Sequence, residues 1–348
     1  EKSMYVEGWD ATPVENHLFR IPLNGKPKTQ LTKQPGWHQT TFSRDSGVYV
    51  DQFTSIEVPM MISVYKSSDN DTKEPTLLHQ EDISGQHPYK PFIEFHANSD
   101  IGFVESGDGK KIYYKLTRPT KTRAKAPIIV YVYGGPGVQK VKNEWSSMIV
   151  QLFAQNGFGV LEIDNRGSSN RGRSFEEPIY RSLGGVEVED QLLGLDMLEE
   201  IDWADSENVG IFGHSYGGYM TLMCLCQSTR FSAGVSVAPV SDWRLYDTHY
   251  TERYMGLPID NKEGYTKSNV INQIDALESP LLLMHGMADD NVLFTHSTLL
   301  MSALQKHGKD FDLMTYPGAK HSMQEEHVSN HRFRKILSFF NRHLKRPT

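Results

Sequence analysis

The hydrophobic pattern of the chain changes near residue 90. From residue 3 to about residue 80, short alternations of apolar and polar positions are separated by turn signals such as Leu23-Asn24-Gly25 and Asp45-Ser46-Gly47. Alternation of this kind is typical of antiparallel strands that bury one face. The predicted strands cover residues 4–8, 17–21, 39–43, 48–52 and 60–65.

From residue 127 onward, continuous apolar runs alternate with longer amphipathic stretches. This order predicts strands buried on both faces and the helices that connect them, which is an α/β protein with a mostly parallel, doubly wound sheet. A hairpin of residues 101–104 and 111–116 precedes them. The predicted strands are 128–132, 159–163, 209–212, 233–237, 280–285 and 312–316, and the predicted helices are 146–156, 187–200, 216–227, 295–307 and 330–343.

A glycine-flanked serine joins one of these strands to a helix. The sequence Gly213-His-Ser215-Tyr-Gly217 follows the apolar run 209–212 directly. A serine on such a sharp turn lies in strained backbone space, and a side chain at either glycine would clash. The turn lifts the hydroxyl clear of the sheet, and the helix N-terminus points its N–H groups at the reacting atom. The stretch therefore predicts a nucleophilic Ser215.

Such a serine needs a base that takes its proton and an acid that orients the base. Asp289 and Asp290 follow a predicted strand, and His321 follows the next one. Because the carboxyl ends of parallel strands share one sheet edge, these side chains should meet near Ser215. Taken singly, either aspartate could cap a helix and His321 could be a surface histidine. Their order in the chain favours a catalytic triad.

Long stretches of the chain resemble the prolyl oligopeptidase family of serine peptidases, and its dipeptidyl peptidase IV branch in particular. The matching stretches are 131–136, 164–168, 213–220, 237–243, 250–258 and 285–292. The resemblance implies an α/β-hydrolase fold preceded by a partial β-propeller segment. Residues 1–90 would be the C-terminal part of a β-propeller domain, and residues 91–348 the peptidase catalytic domain. The family's acid is the first of the paired aspartates, which selects Asp289.

The tetrahedral intermediate of acyl transfer needs two preorganised donors for its oxyanion. The N–H of Tyr216, directly after the nucleophile, is one by geometry, and the resemblance gives the hydroxyl of Tyr133 as the other. It also implies a pocket for a proline ring beside the scissile bond and a side chain, Asn291, that holds the preceding carbonyl. The pocket positions are Tyr216, Val240, Trp243, Tyr246, Tyr250 and Val292.

Two features depart from the branch. His214 stands before the nucleophile where the branch usually has tryptophan, and we expect it to pack away from the substrate. The branch binds the substrate's free amine with paired glutamates on a propeller helix, whereas Glu199-Glu200 here lies on a predicted hydrolase helix. The β segment offers about one and a half to two blades at roughly 40–50 residues each. We therefore expect the chain to be part of a longer polypeptide that supplies the missing N-terminal propeller portion.

Composition narrows the classes of partner. The net charge of −7 argues against a nucleic-acid or anionic-membrane binder, and no apolar run reaches membrane-spanning length. Cys224 and Cys226 stand two apart on a predicted helix, so they cannot pair with each other and should be buried. His327 and His331 lack the glutamate of a His-Glu-x-x-His motif. We expect no metal and no cofactor.

These observations predict a serine exopeptidase that releases N-terminal dipeptides after proline or alanine by acyl transfer. The alternatives are a related tripeptidyl or acylaminoacyl peptidase, and a non-catalytic binding protein built on a hydrolase scaffold. The expected partners are peptides with proline near the N-terminus and a second copy of the chain, bound through the hydrolase domain. The resemblance favours a periplasmic or extracellular location, with a cytoplasmic one as the alternative.

Overall fold

The computed structural model describes residues 2–67, 74–121 and 125–344. The part before residue 81 forms two antiparallel sheets. The first contains β1 (Ser3–Gly8), β2 (His17–Pro22) and β3 (Thr29–Gln30), and the second contains β4 (Trp37–Phe42), β5 (Val48–Thr54), β6 (Met61–Lys66) and β7 (Thr76–Gln80), in that order.

All five strands predicted for this part are present. The sequence pattern missed β3, which is two residues long, and β7, which is exposed along its whole length and so shows no alternation. The second sheet has four strands, which is the number found in one propeller blade. The assignment of residues 1–90 to a propeller, and the division of the chain at residue 90, stay predictions.

An eight-stranded sheet organises the rest of the described chain. Its strands are β8 (Ser99–Glu105), β9 (Lys111–Thr117), β10 (Ala126–Val132), β11 (Gly159–Asp164), β12 (Ala204–His214), β13 (Ala233–Val237), β14 (Leu281–Gly286) and β15 (Asp312–Tyr316). Their spatial order is β15-β14-β13-β12-β10-β11-β9-β8. The strands from β15 to β11 run parallel, while β9 and β8 form an antiparallel hairpin at one edge. The predicted α/β class with a mostly parallel sheet is confirmed.

The predicted helices are present with shifted ends, apart from one that matches at both. The α-helices are α1 (Met148–Gln155), α2 (Arg173–Glu176), α3 (Val186–Asp196), α4 (Tyr216–Gln227), α5 (Thr248–Met255), α6 (Lys262–Lys267), α7 (Thr295–Lys306) and α8 (Glu326–His343). The helix after the serine, α4, has the predicted bounds. The short α2, α5 and α6 were not predicted, because they carry too few apolar positions to show a helical period. Within the described residues, no helix combines the length and apolarity needed to cross a bilayer.

Both faces of the large sheet are covered, as the side chains of β10 illustrate. Successive side chains of a strand point to opposite faces. Ile128 and Val130 join the apolar cluster that contains residues of α3, α4 and α7. Ile129 joins the cluster on the other face, with Phe153 of α1 and Phe340 of α8. The same holds for β12, whose Ile211 joins the first cluster and Phe212 the second, so Ser215 lies at the end of a strand that is packed on both sides.

A buried ionic cluster ties the edge hairpin to the parallel strands. The carboxylate of Glu162, on β11, lies 3.1 Å from Lys115 Nζ of β9 and 3.3 Å from Lys140 Nζ. Burial alone would raise the pKa of Glu162, but the two ammonium groups hold it below its usual value. The cluster stays ionised because its charges are paired.

We expect Glu162→Ala to lower the free energy of unfolding by about 3–5 kcal/mol, because it leaves the buried Lys115 ammonium without its counter-charge. Urea unfolding monitored by circular dichroism measures the change. The matched control is Glu263→Ala, which removes an exposed pair with Lys267 and should cost less than about 1 kcal/mol. Equal effects of the two substitutions would contradict the argument.

Candidate active site

Ser215 occupies a tight turn between β12 and α4. Its backbone has φ of 62° and ψ of −119°, a region that side chains larger than hydrogen rarely adopt. A Cβ at Gly213 would overlap the backbone of Gly217, and one at Gly217 would overlap the carbonyl oxygen of Val132. Both glycines are therefore required by the close approach of β10, β12 and α4 at this point.

The carboxylate of Asp289 accepts four hydrogen bonds in the loop after β14. Its Oδ1 accepts from the backbone N–H groups of Asn291 and Val292, at 2.9 and 3.0 Å. Its Oδ2 accepts from His321 Nδ1 at 2.7 Å and from His285 Nε2 at 3.0 Å. Burial alone would raise the pKa of Asp289, but these hydrogen bonds hold it well below its usual value. The group is an anion that cannot turn away from His321.

His285, the second histidine on this carboxylate, is fully buried near the end of β14. Its Nε2 faces two acceptors, Asp289 Oδ2 and the carbonyl oxygen of Val292 at 2.9 Å, so this nitrogen carries a hydrogen. Its Nδ1 lies 2.7 Å from the hydroxyl of Ser297. The sequence analysis placed His285 in a strand and gave it no role. A histidine four positions before a candidate acid is the signal that could have found it.

The ring of His321 is held at one edge and on one face. Its Nδ1 donates to Asp289, and its face stacks on the ring of His214 with the centroids 4.7 Å apart. The Nε2 of His214 also donates to the backbone oxygen of His321 at 2.9 Å. Burial lowers the pKa of His214 to about 3, so this ring is neutral. We expected His214 to pack away from the substrate; its ring lies against the candidate base.

Ser215 and His321 are brought into one region by this stacking, because Ser215 directly follows His214. Among the described residues, no hydrogen bond joins the Ser215 hydroxyl to the His321 ring. Catalytic hydrogen bonds are often long before substrate binds and shorten in the substrate complex. The structure thus brings together the acid and the base, and the contact between serine and base stays a prediction.

Asp290, the other candidate acid, faces solvent. Its carboxylate pairs with Lys320 Nζ at 2.9 Å, and both side chains are exposed. The neighbouring aspartates therefore differ in environment, although their sequence positions differ by one. Only Asp289 contacts His321.

The two predicted oxyanion donors lie on adjoining elements. Tyr133 follows β10, and its ring centroid lies 5.9 Å from that of Tyr216. Burial, with the neighbouring Tyr254, raises the pKa of Tyr133, so its hydroxyl keeps its proton at neutral pH. In the described chain that hydroxyl has no hydrogen-bond partner. The Tyr216 N–H belongs to the first turn of α4, where backbone donors have no partner within the helix.

The predicted pocket residues form one cluster around Trp243. The Trp243 ring lies 5.4 Å from Tyr216 and 6.1 Å from Tyr250. Val240, Trp243 and Val292 are buried in the same apolar cluster as Tyr216, whereas Tyr246 and Tyr250 are half-buried. Asn291 is exposed, and its Oδ1 accepts from the Tyr246 hydroxyl at 2.6 Å. The sequence analysis did not single out Tyr254, whose ring lies 4.8 Å from that of Tyr250.

A buried glutamate on α3 also reaches this region. Glu187 Oε1 accepts from the Tyr216 hydroxyl at 2.8 Å. Burial raises the pKa of Glu187 to about 7, although hydrogen bonds from neighbouring backbone N–H groups and from Tyr216 oppose the rise. The sequence analysis missed this residue, because an acidic side chain in the first turn of a helix is common at the surface.

His327 and His331 stand four positions apart near the start of α8. The Nδ1 of His331 lies 3.1 Å from the Tyr316 hydroxyl. Within residues 2–67, 74–121 and 125–344, no group of three or more His, Cys, Asp or Glu side chains is arranged to hold a metal ion. Cys224 and Cys226 are buried free thiols on α4, as predicted.

Comparisons with known proteins agree with this architecture. The profile of the prolyl oligopeptidase family matches residues 144–347, and that of the dipeptidyl peptidase IV (DPP IV) N-terminal region matches residues 1–60. Dipeptidyl peptidase 8 of Homo sapiens is 35% identical over 98% of the chain, which covers 39% of that relative. Dipeptidyl peptidase 4 of Trichophyton tonsurans is 27% identical over the whole chain, which covers 46% of it.

Among solved structures, Porphyromonas gingivalis dipeptidyl peptidase 4 superposes with a TM-score of 0.91 at 28% identity. That match covers 98% of this chain and 48% of the other. The chain thus spans less than half the length of these relatives. The predicted α/β-hydrolase fold is confirmed. Because the family profile covers more than half of it, the chain belongs to the prolyl oligopeptidase family, and the relatives named above are dipeptidyl peptidases.

Proposed function

We propose that the protein is a serine exopeptidase that releases dipeptides from the N-terminus of peptides after proline or alanine. Ser215 is the nucleophile, His321 the base and Asp289 the group that orients the base. The observation that carries the proposal is the 2.7 Å hydrogen bond from His321 to a buried, fully hydrogen-bonded Asp289, beside a strained serine turn. The relatives carry the name dipeptidyl peptidase, which supports this substrate class.

The proposed reaction is acyl transfer in two halves. Ser215 Oγ attacks the scissile carbonyl carbon and gives its proton to His321, while Asp289 stabilises the imidazolium that forms. The oxyanion accepts hydrogen bonds from the Tyr216 N–H and the Tyr133 hydroxyl. When the C–N bond breaks, His321 returns the proton to the leaving amine. Water then attacks the acyl-enzyme by the same route and restores Ser215.

Specificity is assigned to the cluster around Trp243. Half-buried Tyr246 and Tyr250 offer an aromatic surface that suits a flat proline ring, and they pack against the apolar cluster that contains Val240 and Val292. Asn291 would hold the preceding carbonyl oxygen. Recognition of the free amine, the propeller portion, the domain division and a homodimer through the hydrolase domain remain predictions.

We expect Ser215→Ala to lower kcat on a Gly-Pro chromogenic substrate by about 10⁴-fold or more, since triad removal leaves only binding and oxyanion contacts. Circular dichroism serves as the folding control. A variant that keeps a tenth of the wild-type rate would contradict the assignment. Wild-type preference for acetylated or tripeptidyl substrates would favour an acylaminoacyl or tripeptidyl peptidase. Failure of a fluorophosphonate to label Ser215 would favour a non-catalytic protein.

The neighbouring aspartates offer a matched pair of substitutions. Asp289→Asn should cost on the order of 10⁴ in kcat, because an amide in this position favours the wrong histidine tautomer. Asp290→Asn removes only an exposed pair with Lys320 and should change kcat less than about twofold. Steady-state kinetics of both variants measure this ranking. The reverse ranking would mean that Asp290 is the acid.

Tyr133→Phe tests the second oxyanion donor. A hydroxyl that donates only in the transition state should lower kcat by about 10²–10³ with little change in KM. The control is Tyr131→Phe, two residues earlier on β10, whose ring stacks on Phe212 in the opposite apolar cluster; its kcat should match the wild type. A change confined to KM in Tyr133→Phe would show a ground-state contact instead.

A further inference from the structure

Helix α3 carries a polar face that is almost completely buried. Glu187, Asp190 and Gln191 stand at positions i, i+3 and i+4, so they share one face. Their exposures are 0%, 1% and 0%. Burying a charged or amide side chain costs free energy unless it is hydrogen-bonded. The partners of these three side chains therefore indicate what the face holds in place.

The first partner is the residue after the nucleophile. Glu187 Oε1 accepts from the Tyr216 hydroxyl at 2.8 Å and from the Gly184 N–H at 2.9 Å, while Oε2 accepts from the Gly185 N–H at 3.1 Å. The Tyr216 ring packs near the rings of both Tyr133 and Trp243, with centroids 5.9 and 5.4 Å away. A ring whose hydroxyl is tied to a buried carboxyl presents one fixed face to the candidate pocket.

A series of hydrogen bonds from Gln191 leads to the backbone beside Tyr133, the second candidate oxyanion donor. Gln191 Nε2 donates to Asn165 Oδ1 at 2.8 Å, and Asn165 Nδ2 donates to the backbone oxygen of Gly134 at 3.0 Å. Gly134 directly follows Tyr133 and has a φ of 75°. Asn165 is fully buried, so its amide cannot exchange these bonds for water.

Asp190 holds the backbone segment that carries Asn165. Its carboxylate accepts from the Arg166 backbone N–H at 2.7 Å and from the Arg166 guanidinium at 2.7 and 2.9 Å. Because Arg166 follows Asn165, the bidentate pair fixes the backbone from which the Asn165 amide projects. Together, the three side chains fix the Tyr216 ring relative to residues 133–134, which we call the Tyr133 loop.

We propose that this face of α3 is the positioning device of the catalytic site. Glu187 sets the pocket wall through Tyr216, and Gln191 sets the oxyanion hydroxyl through Asn165 and the Tyr133 loop. The inference rests on the proposed function. It assigns positioning roles to residues of α3 that do not touch the reacting atoms.

Substitutions of Glu187 and Gln191, which lie one helical turn apart, should change different kinetic constants. Glu187→Gln keeps the size of the side chain but places an amide donor where only acceptors fit. It should raise KM for Gly-Pro substrates about 5- to 10-fold and narrow the preference for proline over alanine, with kcat changed less than about threefold. Gln191→Met removes the donor to Asn165 and should lower kcat about tenfold with KM unchanged.

The constants are measured on the full-length protein and expressed per active site, with fluorophosphonate titration counting the sites. A merely structural role would reduce the number of sites and leave the constants per site unchanged. The matched control is Asp196→Asn, at the exposed C-terminal end of α3, whose carboxylate pairs with Arg230; this variant should match the wild type. If either variant fails to fold, Tyr216→Phe removes the Glu187 bond from its other partner. Asn165→Asp still accepts from Gln191 but removes the next bond, the one to the Gly134 oxygen.

Double-mutant cycles give the sharpest result. Glu187→Gln with Tyr216→Phe, and Gln191→Met with Tyr133→Phe, should each cost little more than the larger single change, because each pair acts through one bond chain. Additive effects in both cycles, or constants per site equal to the wild type, would overturn the inference and leave Ser215-dependent peptide cleavage intact. A further outcome separates the two proposals. If Gln191→Met is labelled by the fluorophosphonate more slowly than the wild type, and neither protein cleaves Gly-Pro substrates, the inference is supported and the proposed substrate class is rejected.

Discussion

The candidate site depends on one buried carboxylate, that of Asp289. Removing a carboxylate from water is costly, and the cost is offset here by four hydrogen bonds that use both oxygens. Two of them come from the backbone of the loop that carries Asp289, so the loop and the side chain fix each other. The other two come from His285 and His321. Orientation of the base is therefore a consequence of satisfying the buried acid.

The nucleophile is fixed by a different constraint, the close approach of three backbone segments. Gly213 and Gly217 allow α4 to begin directly above the end of β10, and Ser215 takes the strained turn that this contact leaves. The strain is compensated by the burial of α4, whose side chains from Tyr216 to Cys226 all lie in the core. A helix packed this tightly cannot shift to relieve the backbone strain at Ser215. The serine therefore stays in its strained turn at the carboxyl end of β12.

Local pattern in the sequence was enough for the parts of the site that depend on chain order. Strand runs placed Asp289 and His321 at the sheet edge that carries Ser215, and the bounds of α4 followed from its glycine-rich start and apolar length. The resemblance separated Asp289 from Asp290, which differ in burial but not in pattern. The helix α5, which carries Tyr250, stayed unrecognised because half-buried tyrosines and charged residues give it no apolar stripe.

The hydrogen bonds between buried polar side chains could not be predicted from the sequence. Glu187 and Tyr216 are 29 positions apart, and Gln191 and Asn165 are 26 positions apart. Acidic and amide residues in the first turns of a helix are ordinary at a surface, and nothing local says that this turn is inside. Likewise, the stacking of His214 on His321 depends on how β12 and the loop after β15 meet. Such pairs are set by tertiary packing, which a one-dimensional pattern does not record.

Glu162 and Asp289 are both buried acids, but different groups stabilise their charges. Glu162, between the hairpin and the parallel strands, is matched by two lysine ammonium groups, so its charge is cancelled locally. Among the described residues, the partners of Asp289 include two uncharged backbone N–H groups and no lysine or arginine. Hydrogen bonds from such groups stabilise an anion without cancelling its field. The uncancelled field of Asp289 falls on His321, where a positive charge must develop when Ser215 loses its proton. Asp289, satisfied by neutral donors beside His321, is therefore suited to catalysis, and Glu162, satisfied by cations, is suited to holding strands together.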